Sequence, residues 1–222
     1  MAGYMICRFW VPDLPAVMHV SGHGSPVFFI PHSDETSALE TARQFVEANG
    51  SGTIVWMDCL GHRKCGGADP NRYFGFCSNR YNNKAMQVYR GKVFKYFEGE
   101  PIVIALHNNR GCDGSICMEH PYEGSRAIGS VGPSDVVIFN GPEEAPSGPR
   151  GRFSECLANN NIGQLYEKAG AVSDCSMSEA ATQLGYFYFN LDTELKRGTA
   201  NQLSLLNQTM DCARKALLSP GN

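Results

Sequence analysis

Residues 101–106 read PIVIAL and lead directly into His107. A short apolar run rich in β-branched residues is typical of a strand that is covered on both faces, as in the centre of a parallel sheet. Two similar runs, PVFFI at 26–30 and GTIVWM at 52–57, predict further strands, and the helical spacing of apolar residues between them predicts a helix over 36–47. Strands that alternate with helices predict an α/β fold.

The rest of the chain continues this alternation. Short β-branched and aromatic runs indicate strands, and apolar residues three or four positions apart indicate helices. These patterns predict strands at 135–139 and 186–195, and helices at 82–96, 163–169 and 200–218.

Two connecting stretches, 108–134 and 141–155, fit neither pattern and are rich in Gly, Ser, Pro and charged residues. Loops of this length are usually functional or mobile, so we expect them at the rim of a binding cleft. No repeat or linker divides the chain, and 222 residues of 42% hydrophobic composition suffice for one core. We therefore predict one domain over residues 1–222, built on a mixed, mostly parallel sheet with helices on both faces.

Charge and hydropathy restrict the classes of partner. The formal net charge of −3 gives no electrostatic basis for a nucleic-acid partner, because such binding depends on basic groups that neutralise phosphates. No run of about 18 apolar residues is present, so no transmembrane segment is expected. Residues 1–8 lack the features of a signal peptide, which leaves a cytoplasmic protein or a mature chain whose leader has been removed.

Nine cysteines are many for a protein of the reducing cytosol. The close pairs Cys59/Cys65 and Cys112/Cys117 lie in predicted loops, where a disulfide would fix irregular backbone. This density favours an exported protein, periplasmic or extracellular. The alternative is that the cysteines are ordinary small buried residues. No pair of C-x-x-C motifs is present, so a structural zinc knuckle is not expected.

The first candidate site residues follow the strand at 26–30. His32 and Glu35 are three positions apart at the start of a predicted helix, where both side chains project to one side and can reach one ion. A surface hydrogen-bonded pair is the alternative for such a short motif.

His107 ends the central strand, and ligands of open α/β sheets bind outside the carboxyl ends of strands. Together with His32 and Glu35, it completes the three-ligand set of a catalytic zinc site, which leaves a fourth position for water. The alternative is a histidine that caps its strand by bonding a backbone group.

A third motif carries a resemblance to a known family. Residues 67–72, GADPNR, are similar to the segment of zinc metallocarboxypeptidases in which an adjacent Asn and Arg bind the free carboxylate of the substrate. The order of the motifs resembles still more closely the compact branch of that superfamily, which includes aspartoacylase and succinylglutamate desuccinylase. The motifs that match are His32-x-x-Glu35, Arg63, Asn71-Arg72 and Leu106-His107-Asn108.

The resemblance implies a zinc carboxypeptidase-like fold that holds one Zn²⁺. It implies that Asn71 and Arg72 bind a substrate carboxylate and that Arg63 stabilises the oxyanion of the tetrahedral intermediate. Each arginine could instead form a plain surface ion pair. For orienting the imidazoles, Asp34 and Asp69 are the carboxylates closest in sequence.

Metallocarboxypeptidases also carry a catalytic Glu on a late strand that a short polar turn follows. Residues 188–198, YFNLDTELKRG, are similar to that strand and place Glu194 as general base and then general acid. Asp192, two residues earlier on the same strand face, is the rival. The family's substrate-gating tyrosine is not assigned, and Tyr122, Tyr166 and Tyr186 are its candidates.

These features together predict a zinc-dependent hydrolase that cleaves an amide bond next to a free carboxylate. The substrate class would be a peptide, a peptidoglycan stem peptide or an N-acyl amino acid. Two alternatives stay open: a cytoplasmic deacylase or esterase that acts on a small metabolite, and a binding module without turnover.

Overall fold

The protein is described by a computed structural model over residues 7–10, 16–67, 69–74, 84–109, 121, 124–128, 135–170 and 175–218. Within this part of the chain, five helices and nine strands are formed, and the strands belong to one sheet. The helices are α1 (Thr36–Asn49), α2 (Lys84–Lys95), α3 (Gly148–Asn159), α4 (Met177–Gln183) and α5 (Gly198–Leu218). The strands are β1 (Cys7–Trp10), β2 (Val17–His23), β3 (Val27–Ile30), β4 (Gly52–Asp58), β5 (Ile102–Asn109), β6 (Ser125–Ile128), β7 (Val136–Gly141), β8 (Gly163–Lys168) and β9 (Phe187–Glu194).

The sheet has the strand order β1-β2-β4-β3-β5-β9-β7-β8-β6. Its centre is parallel, because β4, β3, β5 and β9 all run in one direction. Antiparallel pairs flank this centre, and the pair β7/β8 runs parallel but opposite to it. The predicted α/β class with a mixed sheet is confirmed. The carboxyl ends of β3, β5 and β9 therefore meet at one edge.

Helices cover both faces of the sheet, as the sequence predicted. On one face α1, α3 and α5 pack against a core that includes Phe28, Ile104 and Phe189. On the other face α2 and α4 pack against Phe29 and Val103. Burying one such side chain stabilises the fold by about 1.5–3 kcal/mol, so the two layers fix the sheet from both sides.

The first turn after β3 positions two of the candidate site residues. Helix α1 begins after Glu35, and its apolar face buries Leu39, Ala42 and Phe45. It ends where Gly50 adopts a left-handed conformation (φ 68°) and donates its backbone N–H to the Val46 carbonyl, which is the usual role of glycine at a helix end. The predicted helix is confirmed.

Two segments differ from their predictions. Residues 163–169 were predicted to be helical, but Gly163–Lys168 form strand β8, which pairs with β7 and β6. The propensity of Gln, Leu, Glu and Lys for helix is weak and is overridden here by the sheet contacts on both sides. The unassigned stretch 141–155 contains most of α3, whose first turn holds Pro149, a position that tolerates proline.

Disulfides tie several of these elements together. The predicted pair Cys59–Cys65 is bonded, and it closes the loop after β4. A second disulfide, Cys156–Cys212, links α3 to α5. The predicted pair at 112 and 117 lies outside the described residues. A search of the described residues finds no helix with the length and apolar character needed to cross a membrane.

Candidate metal centre

Three buried side chains meet at the carboxyl edge of the parallel strands. His32 lies two residues beyond β3, Glu35 stands at the start of α1, and His107 lies near the end of β5. Their exposed fractions are 2%, 2% and 5%. Since β3 and β5 are adjacent and parallel, the fold brings together the two imidazoles that are 75 residues apart in sequence.

The spacing of the three groups fits a metal ion. Nδ1 of His32 lies 3.0 Å from Oε1 of Glu35, and Nδ1 of His107 lies 3.1 Å from Oε2. In a tetrahedral zinc site with bonds of about 2.0–2.1 Å, neighbouring ligand atoms are about 3.3 Å apart. The ligand atoms of all three residues lie within 4.8 Å of one another. Nδ1 of His32 thus faces the Glu35 carboxylate as a ligand atom would.

Asp69 contacts the His32 ring at Nε2, the nitrogen that does not face Glu35. Its Oδ1 lies 3.0 Å from Nε2 of His32 and accepts the backbone N–H of Asn71 at 2.8 Å. A proton on Nε2 that is donated to Asp69 leaves Nδ1 unprotonated and available to a metal. Of the two carboxylates closest in sequence, Asp69 therefore orients an imidazole, whereas Asp34 lies 3.6 Å from Arg63.

The centre favours positive charge. Burial alone would lower the pKa of His32, but the hydrogen bonds to Asp69 and Glu35 and their negative charges raise it to about 9. Burial likewise opposes ionisation of Glu35, yet His107 and His32 hold its pKa well below its usual range. Burial opposes ionisation of Asp69 too, and contact with His32 lowers its pKa to about 2. A bound cation would take the place of the proton on His32.

Arg63 lies at the edge of the centre. It follows Cys59 in the disulfide-closed loop, and its Nη1 donates to Oε1 of Glu35 at 3.0 Å. About half of its side chain is exposed. The structure thus brings Arg63 to the site, where its guanidinium contacts a carboxylate of the ligand set and is accessible from solvent.

Asn71 and Arg72 are carried by the short 3-10 helix Pro70–Arg72, which Asp69 caps. Because Asp69 also holds His32, this turn is fixed to the metal centre. The Oδ1 atom of Asn71 is buried and lacks a hydrogen-bond partner among the residues described. Arg72 acts electrostatically on both Asp69 and Tyr188, which places its charge near the same face of the sheet.

Strand β9 brings Asp192 and Glu194 beside β5, the strand that carries His107. It pairs in parallel register with β5, with Asp192 opposite His107 and Glu194 opposite Asn109, so both carboxylates project from the face that bears His107. Glu194 is 5% exposed, and its carboxylate lies 2.5 Å from Nζ of Lys196 and 3.3 Å from Nε of Arg197.

Asp192 is also buried, and its surroundings differ from those of Glu194. Burial raises the pKa of Asp192 to about 7, while the charges that act on it come from His107, Glu35 and Arg63. Those three groups belong to the metal centre or its edge. Asp192 therefore faces the centre, whereas Glu194 contacts Lys196 and Arg197 of the turn that follows β9.

Gln202, a fully buried residue of α5, was not among the predicted site residues. Its Nε2 donates to the backbone carbonyl of His107 at 2.9 Å, and its Oε1 accepts from Thr41 of α1 at 3.0 Å. Gln202 thus connects two helices to the strand that carries His107. Its only signal in the sequence is a polar residue inside the apolar pattern of the last helix.

Two candidates for a gating tyrosine lie away from this edge. Tyr186 precedes β9, at the end of the sheet opposite to the metal centre. Tyr166 belongs to the core on the α1, α3 and α5 face, and its hydroxyl donates to the carbonyl of Glu143. Tyr122 lies outside the described residues.

Comparisons with known proteins show a fold and no family. No protein-family model matches the sequence, and no curated protein matches it. The structure is similar to that of a proposed metallopeptidase from Shewanella amazonensis SB2B, with a TM-score of 0.57 and 11% identity over 97% of this chain and 88% of that one. A similar protein from Shewanella denitrificans OS217 also gives a TM-score of 0.57, with 11% identity over 95% and 83% of the two chains.

The cell shape determinant protein Csd4 of Helicobacter pylori, described as a D,L-carboxypeptidase, is also similar. Its mDAP-bound form gives a TM-score of 0.53 with 13% identity, over 88% of this chain and 52% of Csd4. This chain therefore spans about half the length of Csd4. At such identities the likeness shows the fold alone.

Proposed function

We propose that this protein is a zinc-dependent hydrolase of the carboxypeptidase type, which cleaves an amide bond next to a free carboxylate. The observation that carries the proposal is the position of Glu35 between two imidazoles. Its carboxylate oxygens lie 3.0–3.2 Å from Nδ1 of His32 and Nδ1 of His107, on a fold shared with metallopeptidases. Two imidazoles and one carboxylate suit zinc, and this set leaves a position for a reactant.

A bound zinc ion would supply Lewis acidity, which activates water and polarises a carbonyl. Asp69 keeps the His32 ring in the tautomer that such an ion requires. Arg63 is accessible beside Glu35, and its guanidinium would stabilise negative charge on the carbonyl oxygen of the substrate during attack.

Glu194 would accept a proton from the attacking water and deliver it to the departing nitrogen. Its contacts with Lys196 and Arg197 stabilise the carboxylate as an anion, which is the form needed to accept that proton. The position of Glu194 at the carboxyl end of β9, on the face that bears His107, supports this role.

Asn71 and Arg72 would bind the free carboxylate of the substrate. The planar guanidinium of Arg72 provides two parallel donors for a carboxylate, and Asn71 provides a neutral amide beside it. Because Asp69 holds both this turn and His32, the bound carboxylate would keep a fixed distance from the scissile bond, as orientation by binding requires.

The comparison with Csd4 supports a peptide as the substrate. Forms of that protein bound to a tripeptide and to mDAP are known, and we propose that this chain acts on a peptide with a free carboxylate, including peptidoglycan stem peptides. The disulfides Cys59–Cys65 and Cys156–Cys212 support a protein that works in an oxidising compartment outside the cytoplasm.

Metal content tests the proposal first. Purified wild-type protein should contain about one zinc per chain by elemental analysis, and His32→Ala and His107→Ala should lose most of it. His23→Ala, a change at an exposed histidine at the end of β2, is the matched control and should keep the metal. A wild-type protein that neither holds nor binds zinc would contradict the proposal.

Turnover is the second measurement. Zinc-loaded wild type should hydrolyse amides that carry a free carboxylate, and Glu194→Gln should bind zinc equally well but lose activity. Zinc binding without hydrolysis of any acylated or peptidic carboxylate would indicate a binding module. A thiol count near nine in the native protein would favour a cytoplasmic deacylase.

A further inference from the structure

The two imidazoles of the metal centre differ in the surroundings of Nε2, the ring nitrogen that does not face Glu35. His32 has Asp69 behind its ring at 3.0 Å. His107 is equally buried, and its Nδ1 faces Glu35 at 3.1 Å, but its Nε2 has no hydrogen-bond partner in the described part of the protein. A buried imidazole N–H without a partner is unfavourable, because it loses its hydrogen bonds to water on folding.

Oδ1 of Asp192, on the neighbouring strand, is a buried carboxylate oxygen without a hydrogen-bond partner among the described residues. Asp192 stands opposite His107 in the parallel register of β5 and β9, where neighbouring strands are about 4.8 Å apart and paired side chains share a face. Asp192 is 7% exposed. The side chain of Asn109 hydrogen-bonds its carboxylate, while Oδ1 of Asp192 makes no hydrogen bond to any described residue.

Nε2 of His107 and Oδ1 of Asp192 are a matching hydrogen-bond donor and acceptor. The Nε2–H group of a histidine whose Nδ1 faces a metal is a donor, and a carboxylate oxygen is an acceptor. Both are buried on one face of two adjacent strands, a placement compatible with a direct contact or with one bridging water. Asp192 also lies outside the cluster of ligand atoms that fall within 4.8 Å of one another, which separates it from the ligand set itself.

We propose that Asp192 is the positioning residue of His107. Its Oδ1 accepts the Nε2–H of His107, directly or through one water, and so holds the ring with Nδ1 towards the metal. Each imidazole then has its own carboxylate, Asp69 for His32 and Asp192 for His107. This role rests on the proposed zinc site and is separate from the proton transfer assigned to Glu194.

Zinc affinity measured by competition with a chelator tests the role. Loss of a carboxylate that orients a metal-binding histidine weakens metal binding by about 10–100-fold, and we expect a loss of this size in Asp192→Ala. Asp192→Asn keeps the shape and one acceptor oxygen, so it should lose less. Glu179→Gln removes a different carboxylate, which is also buried and lies on α4 over the same face of the sheet, and it should leave the affinity unchanged.

NMR of zinc-loaded protein with isotope-labelled histidine measures the Nε2–H group directly. A purely structural role of Asp192 would leave this signal unchanged. In the wild type, the Nε2–H proton of His107 should exchange slowly with solvent and resonate downfield, as expected of a donor to a carboxylate. Both properties should be lost in Asp192→Ala. If Asp192→Ala fails to fold, Asp192→Asn carries the test, with a weaker zinc affinity and an upfield shift of the same proton.

The outcomes separate this inference from the proposed function. A wild-type protein that binds zinc while both Asp192 variants bind it as tightly, with an unchanged Nε2–H signal, overturns only the role of Asp192. A wild-type protein that binds no zinc overturns the zinc site and this role together.

Discussion

The charge on His32 predicts how zinc affinity depends on pH. In the metal-free protein its pKa is raised from 6.5 to about 9, by bonds and charges from Asp69 and Glu35 that outweigh burial. Zinc binds the neutral imidazole, so the ion has to displace this proton. We therefore expect the apparent affinity to increase as pH rises towards 9 and to level off above it.

The size of the effect follows from the pKa. At pH 7 the ring is about two pH units below its pKa, so only about 1% of it is neutral, and zinc should bind about 100-fold more weakly than on the plateau, or about 3 kcal/mol. Each unit of pH between 7 and 9 should change the affinity about tenfold. The stability of the metal-free protein should change in the opposite sense. The protonated ring stabilises the fold below the unfolded pKa of 6.5, and this contribution is lost as pH rises through about 9.

Chelator competition from pH 6 to 10, corrected for the protonation of the chelator, measures the dependence directly. Asp69→Asn is the matched variant, because it keeps the shape but removes one charge that raises the pKa of His32. The zinc affinity of this variant should reach its plateau at a lower pH than that of the wild type. A wild-type affinity that is flat between pH 7 and 9 would refute the assignment of this proton to His32.

Four other changes have definite expected outcomes. Replacing both Cys156 and Cys212 by Ser opens a loop with a sequence separation of 56 and should lower the free energy of unfolding by about 4 kcal/mol, measured by denaturant titration. Arg72→Lys should raise KM for a carboxylate substrate by about tenfold or more with a smaller effect on kcat, because the two parallel donors are lost; an unchanged KM would argue against carboxylate binding there. Gly22→Ala should cost about 3 kcal/mol or more, since a Cβ would lie 2.1 Å from a backbone oxygen at φ +79°. Gly61→Ala, at φ +82° with open space around it, should cost only about 1 kcal/mol.

The sequence predicted the centre of the fold because its signals there are local. The runs that became β3, β4 and β5 are apolar enough to be identified without knowledge of their neighbours. His32 and Glu35 could be paired from their spacing alone, and His107 could be added once β5 was recognised as a central strand. The proximity of these three residues is thus a direct consequence of parallel strands ending at one edge.

Features that depend on distant contacts were missed or left open. The sequence of β8 favours a helix slightly, and only pairing with β7 and β6 makes it a strand. Helix α3 was left as a connecting stretch because it begins with Gly and Pro, although Phe153 and Leu157 show the spacing of a buried helix face. Asp69 could be chosen over Asp34 only when the structure brought it to His32.

The place of β9 in the sheet has a consequence for the order in which the protein forms. It is the last of the described strands along the chain, yet it lies in the middle of the sheet between β5 and β7. Without it, the strands on either side belong to two separate groups, each with an open edge. The groups are joined only through contacts between residues far apart in sequence, which form slowly. The edge at which β3, β5 and β9 meet is therefore complete only after the last of these strands has joined the sheet.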